Sequence, residues 1–183
     1  NHKMKILSAL QIKKADQDTI TNEPISSIDL MERAAEKCCE FFPPVGKWNH
    51  LVVICGTGNN GGDGLAIARL QLGNFKSVRV LILITGKQPS ENFNSNLKRL
   101  QEENVNIQFI TDANDIFLND EELVVDAILG VGITRPVDGF ISDCIDVINE
   151  LAVFVISIDL PSGLIADSFS SGKAIKANLT LTM

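Results

Sequence analysis

Positive charge is what this sequence has too little of. Its 16 Lys and Arg stand against 23 Asp and Glu, a formal net charge of -7 over 183 residues. That balance argues against nucleic acid or an anionic membrane as a general partner, because both require a basic surface. Long apolar runs are missing too, so no segment reads as a bilayer span. Histidine is scarce: of the two present, His2 belongs to the opening Asn1-His2-Lys3 and His50 begins an apolar strand pattern, so neither is given a catalytic role. The four cysteines do not form a disulfide framework, since Cys38 and Cys39 are adjacent in a helical stretch, Cys55 ends a strand and Cys144 lies in a helical pattern. They read as buried thiols of a protein in a reducing cytoplasm. Repeats, linkers, low-complexity segments and a signal peptide are not seen. Asn1-His2-Lys3 reads as a remnant of expression ahead of Met4, and one domain over 4–183 is expected. With 45% apolar residues it is large enough to bury a sizeable core.

What is present is a regular alternation. Ser8-x-x-Gln11 is a capping-box pattern for a first helix ending before Asn22-Glu23-Pro24. Ser27 is expected to cap a second helix with Ile28, Met31, Ala35, Cys38 and Phe42 inward, stopped by Pro43-Pro44. Strands then alternate with helices. Strand 51–55 precedes a helix from about Gly62. Strand 78–84 precedes a helix capped by Ser90, with Phe93, Leu97 and Leu100 inward. Strand 106–110 is followed by a brief helical turn near Asn114. Strand 122–128 leads through a glycine-bearing loop to a helix over Asp138–Glu150, then come strands 153–158 and 177–182. This order implies an α/β fold: a three-layer, Rossmann-like sandwich with a mostly parallel central sheet.

The glycine-rich segment after the first strand carries the most information. Cys55-Gly56-Thr57-Gly58-Asn59-Asn60-Gly61-Gly62-Asp63-Gly64 follows Leu51-Val52-Val53-Ile54 and opens a helix. Gly56-x-Gly58-x-x-Gly61 is the dinucleotide fingerprint in its strand–turn–helix setting. Yet Asp63 puts a carboxylate where a pyrophosphate wants positive potential, and Asn59-Asn60 puts two amides where small spacers suffice. In a parallel sheet, ligands bind outside the carboxyl ends of the strands where strand order reverses. With strand 51–55 central and 122–128 beside it across that reversal, Asn59, Asn60 and Asp63, then Asp126, then Asp159 and Ser162 gather at one rim. Each has a bland alternative. Asp63 also suits the first turn of any helix, and Asn60 also suits a turn bonding its own backbone. Asp126 and Asp159 end apolar strands, where a carboxylate is costly unless hydrogen-bonded, paired or ion-bound, and loop N–H groups would suffice. Ser162 also suits a turn cap. Arg135, in Gly130-Val131-Gly132-Ile133-Thr134-Arg135-Pro136, is either a solvated arginine or the best local cation for a phosphate.

Three motifs in order, Gly58-Asn59-Asn60-Gly61-Gly62-Asp63-Gly64, Val125-Asp126-Ala127-Ile128-Leu129-Gly130-x-Gly132 and Ser157-Ile158-Asp159-Leu160-Pro161-Ser162-Gly163, resemble the YjeF N-terminal domain family, which includes the NAD(P)H-hydrate epimerases. Ile28-Asp29-Leu30-Met31-Glu32-Arg33-Ala34-Ala35 resembles that family's second helix. The resemblance implies interconversion of the R and S forms of NADH or NADPH hydrated at C6, a step of nicotinamide nucleotide repair. It implies substrate contacts from Asn59, Asn60, Gly61, Gly62 and Asp63, from Asp159, and from Gly130, Val131, Gly132, Ile133, Thr134, Arg135 and Pro136 around the phosphates. It also implies one potassium ion per subunit held by Asn60, Asp126 and Ser162, whose hard oxygens suit such an ion. Asp126 or Asp159 would serve as acid and base, Asp126 being favoured for its central strand. Because family members continue past the strand at 179–182, the chain is expected to be truncated there, with an ADP/ATP-dependent dehydratase domain behind it in the parent protein. The amino-terminal helices are the expected homodimer face.

Two rivals are weighed. An NAD-dependent dehydrogenase needs a carboxylate ending the second strand for the ribose hydroxyl, and that strand ends Ile84-Thr85-Gly86. A non-catalytic nucleotide-binding or scaffold module of the same fold would not need Asn60, Asp126, Asp159 and Ser162 together.

Overall fold

Six runs of the chain pair side by side as parallel strands, and after three of them an α-helix carries the chain back across the sheet. The structure, a computed structural model, describes residues 9–22, 25–44, 46–166 and 172–182. Its strands are β1 His50–Cys55, β2 Ser77–Leu83, β3 Asn106–Ile110, β4 Glu122–Ala127, β5 Phe154–Ile158 and β6 Leu179–Leu181. Its helices are α1 Ala9–Asn22, α2 Ser27–Cys39, α3 Asn59–Leu70, α4 Glu91–Gln101 and α5 Gly139–Leu151, with a 3-10 turn at Ala113–Asp115. The six strands form one sheet in the order β3-β2-β1-β4-β5-β6, every pairing parallel. Strand order reverses between β1 and β4, as the sequence implies.

Alternation along the strands divides the core in two. Leu51, Val53 and Cys55 of β1 and Leu123, Val125 and Ala127 of β4 pack with α2, α3 and α4 residues such as Ala35, Leu65, Phe93 and Leu100. Val52, Ile54 and Val124 face the other layer, with Ile116 and with Cys144, Ile145 and Ile148 of α5. Leu51 through Cys55 are completely buried, as a strand covered on both faces must be.

Several boundaries move. The cap of α2 is Ser26, whose hydroxyl accepts from the Asp29 amide at 3.2 Å; Ser27 is the first helical residue. Both serines are competent, and backbone geometry decides. α2 ends at Cys39, so Phe42 lies beyond it, half-buried against the core. Ser90 caps α4 through the Phe93 amide as expected. β6 is only three residues long, shorter than the alternating pattern suggests. Ser8 lies outside the described residues.

The largest difference is the start of α3, at Asn59 rather than Gly62. Glycine disfavours helix, so a propensity reading leaves 59–61 in the loop. Packing overrides it. A Cβ on Gly61 would lie 1.9 Å from the Gly56 carbonyl oxygen, and one on Gly64 would lie 2.5 Å from the Ala127 Cβ. The helix begins early because these glycines let it press against the sheet.

Candidate functional site

The rim is assembled at the reversal point. Past the end of β1, the Gly56 amide donates to the Ala127 carbonyl of β4 at 3.1 Å, and a Cβ on Gly56 would lie 2.1 Å from the Ile128 oxygen. The loops after β1 and β4 therefore leave the sheet in contact.

Asp126 is completely buried on β4. Register sets it opposite Ser157 of β5, whose hydroxyl donates to Oδ2 at 2.7 Å. The Ser162 amide donates to the same oxygen at 2.9 Å; the Ser162 hydroxyl donates to Oδ1 at 2.5 Å, and the Ile128 amide reaches Oδ1 at 3.3 Å. Burial pushes the carboxyl pKa up, while the Ser162, Ser157 and Ile128 donors oppose that rise. All four partners are neutral. Ser162 Oγ also accepts from the Leu129 amide at 2.8 Å, tying the β4 loop to the β5 loop.

Asp159, the residue after β5, is half-buried and adopts a left-handed backbone with φ of 68°. Its Oδ2 accepts from the Val131 amide at 2.7 Å. A Cβ on Gly130 would sit 2.3 Å from that same oxygen and 3.5 Å from the Asn60 Cβ, so glycine here is what admits Asp159 to the β4 loop beside α3. Asn60 occupies the first turn of α3, and both atoms of its amide are buried without a hydrogen-bond partner. An unpaired buried amide is unfavourable by about 1–3 kcal/mol, so a ligand for it is the natural expectation at this rim.

The tertiary structure thus joins Asp126 to Ser162 directly and Asp159 to Val131, with Gly130 set close to both Asp159 and Asn60. Asn59 lies exposed beside Asn60, Gly61 and Gly62 are buried, and Asp63 is half-buried. Thr134, Arg135 and Pro136 of the β4 loop are exposed, while Val131 and Ile133 are half-buried. Ser157 joins the site only through the tertiary structure. Its signal is a hydroxyl inside the apolar run Val155-Ile156-Ser157-Ile158, two residues before Asp159. An open hollow of about 510 Å³ between the 3-10 turn and α5, bordered by Asp112, Phe140 and Asp143, shares no residue with this rim.

The model of the YjeF-related protein N-terminus matches residues 27–183. The chain belongs to the YjeF N-terminal family. Among relatives, it is 36% identical over 180 residues to an NAD(P)H-hydrate epimerase of Oenococcus oeni, covering 97% of this chain and 84% of that one. It is 33% identical to a bifunctional NAD(P)H-hydrate repair enzyme, Nnr, of Dictyoglomus turgidum, covering 98% of this chain but 36% of that one. A crystal structure of yeast ynu0, YNL200c, superposes with a TM-score of 0.75 at 26% identity, covering 97% of this chain and 79% of that chain. The six-stranded fold described above is therefore that family's fold.

Proposed function

We propose that this chain is an NAD(P)H-hydrate epimerase, interconverting the R and S forms of C6-hydrated NADH and NADPH in nicotinamide nucleotide repair. Relatives bearing that name cover nearly its whole length. The observation that carries the reading to a site is the convergence of the unpaired Asn60 amide, Asp159 and Gly130 beside the Asp126–Ser162 pair.

The C6 hydroxyl of the substrate is part of a carbinolamine. A carboxylic acid close to it protonates the hydroxyl, the C6–O bond breaks with the ring nitrogen's electron pair in support, and water leaves. A planar cation remains. Water then adds to either face, its surplus proton returning to the carboxylate. We assign this proton transfer to Asp159, which keeps solvent exposure at the mouth of the rim, and a holding role to Asp126, which has none. Asn59, Asn60 and Gly61 to Asp63 line the nucleotide. Gly130 to Pro136 wrap its phosphates with Arg135 as the cation.

Asn60, Asp126 and Ser162 suit a potassium ion. Asn60 Oδ1 is buried and unpaired, and the Asp126 carboxylate is buried among neutral donors only. Bound there, the ion supplies positive charge that offsets Asp126 and helps hold anionic substrate. The homodimer, the cytoplasmic location and an adjoining ADP/ATP-dependent dehydratase domain belong to the same proposal; among the described residues no helix is long and apolar enough to cross a membrane.

The deciding experiment incubates separated R and S hydrates with the purified protein, with and without potassium, and follows the isomers chromatographically. Interconversion faster than the uncatalysed rate and stimulated by potassium is expected. Tight nucleotide binding without interconversion would replace the enzyme with a binding module.

A further inference from the structure

Asn96 stands in the middle of α4, 1% exposed and outside the rim just described. Its Nδ2 donates to the Gly62 carbonyl at 3.1 Å and to Met31 Sδ of α2 at 3.2 Å. Both partners only accept, so the amide cannot be turned over without setting Oδ1 against two acceptors. In this orientation Oδ1 is buried with no partner. Leucine would fill nearly the same space without stranding an oxygen, so packing alone does not account for an asparagine here.

What the amide grips is the backbone of Gly62, in the first turn of α3. That turn and the loop before it are held from other directions. The Ser90 amide, at the start of α4, donates to the Thr57 carbonyl at 3.0 Å. Met31 Sδ would lie 3.1 Å from a Cβ on Gly62. At the far end of α3, Glu32 of α2 pairs with Arg69 in the last turn and, at 3.4 Å, with Arg99 of α4. Met31 of α2 and Asn96 of α4 thus clamp the turn that presents Asn59, Asn60 and Asp63, while Glu32 ties the other end of α3 to the same two helices.

We propose that Asn96 is a positioning residue for nucleotide binding: its amide fixes the Gly62 carbonyl and so the placement of the Asn59–Asp63 turn against the substrate. This rests on the epimerase reading of the rim. The test compares Asn96→Leu with Leu97→Ala, which thins the core contact of the same helix without touching Gly62. A merely structural role reduces the active fraction, lowering apparent kcat and leaving KM unchanged. A positioning role raises KM for the hydrate about tenfold or more in Asn96→Leu and leaves it unchanged in Leu97→Ala. Equal KM in wild type and Asn96→Leu overturns the proposal. If Asn96→Leu does not fold, Asn96→Ser takes its place, since its shorter hydroxyl falls short of the Gly62 oxygen and the same rise in KM is expected. Should the wild type show no epimerisation, the functional reading fails, and the clamp is then judged by amide hydrogen exchange. Faster exchange confined to 56–64 in the Asn96 variant supports the clamp, and unchanged exchange there overturns it.

Discussion

At the residue scale, two aspartates ending neighbouring strands have different fates. Asp126 is sealed in and saturated with donors, whereas Asp159 bends into a left-handed conformation at the surface of the rim. Asp159→Asn is expected to lower kcat by roughly 10²–10⁴-fold, the range for loss of an acid–base group, with little change in thermal stability. An Asp159→Asn protein with undiminished isomer interconversion sinks that assignment. The cysteines make a prediction of their own. Burial raises the thiol of Cys38 from 9.0 to about 11 and that of Cys144 from 9.0 to about 12, and pushes Cys55 up further. A group whose folded pKa lies above its unfolded value favours the folded state below the unfolded pKa, and that contribution fades as pH climbs through the folded pKa. Stability is therefore expected to decline from about pH 9 upward, and thiol alkylation of the native protein at pH 8 to be slow. Cys38→Ala should flatten the alkaline decline in a melting series. The sequence already marks these cysteines as interior, because each lies in an apolar pattern, but it does not reveal that four donors saturate Asp126. Three of them come from Ser157 and Ser162, about thirty residues further along the chain.

At the element scale, α3 is where local preference and packing disagree. Its glycines are helical because Cβ atoms there would strike Gly56, Ala127 and Cys55. In an exposed helix interior, Gly→Ala would stabilise by about 1 kcal/mol. Here Gly64→Ala is expected to destabilise by roughly 1–3 kcal/mol through overpacking against Ala127 and Cys55. Gly58→Ala has open space around its new methyl and should cost less than about 1 kcal/mol at the cap. Thermal melts of the two variants check the contrast, and a Gly64→Ala protein as stable as wild type would refute the packing argument. This is also why the helix start was not legible: glycine's helix-breaking tendency is a local property, and the close approach that overrules it is not. Strands were legible to within a residue or two because burial on both faces writes itself as unbroken Val, Ile and Leu. Ser26 rather than Ser27 as the α2 cap shows the limit of that legibility, since adjacent serines are chemically equivalent until the backbone chooses.

At the scale of the whole molecule, the reversal between β1 and β4 brings together the loops that follow β1, β4 and β5. If Asn60, Asp126 and Ser162 hold potassium, the folded protein binds it and the unfolded chain does not. Melting temperature should then rise with potassium beyond an equal concentration of choline, by the equivalent of about 2.7 kcal/mol at one hundred times the dissociation constant. Asn60→Ala should blunt that rise. Identical melting in the two salts, measured by calorimetry, would remove the ion from the account.

The residue order by itself determined the alternation of strands and helices and the parallel sheet, because both are written in short-range periodicity, and it marked the polar residues that interrupt or end apolar strands. Only the tertiary structure decided which carboxylate is sealed and which is accessible, how far α3 reaches toward the loop, and that Asn96 of a distant helix grips its first turn. Those outcomes depend on ångström-scale contacts between segments far apart in the chain, and no periodicity encodes them.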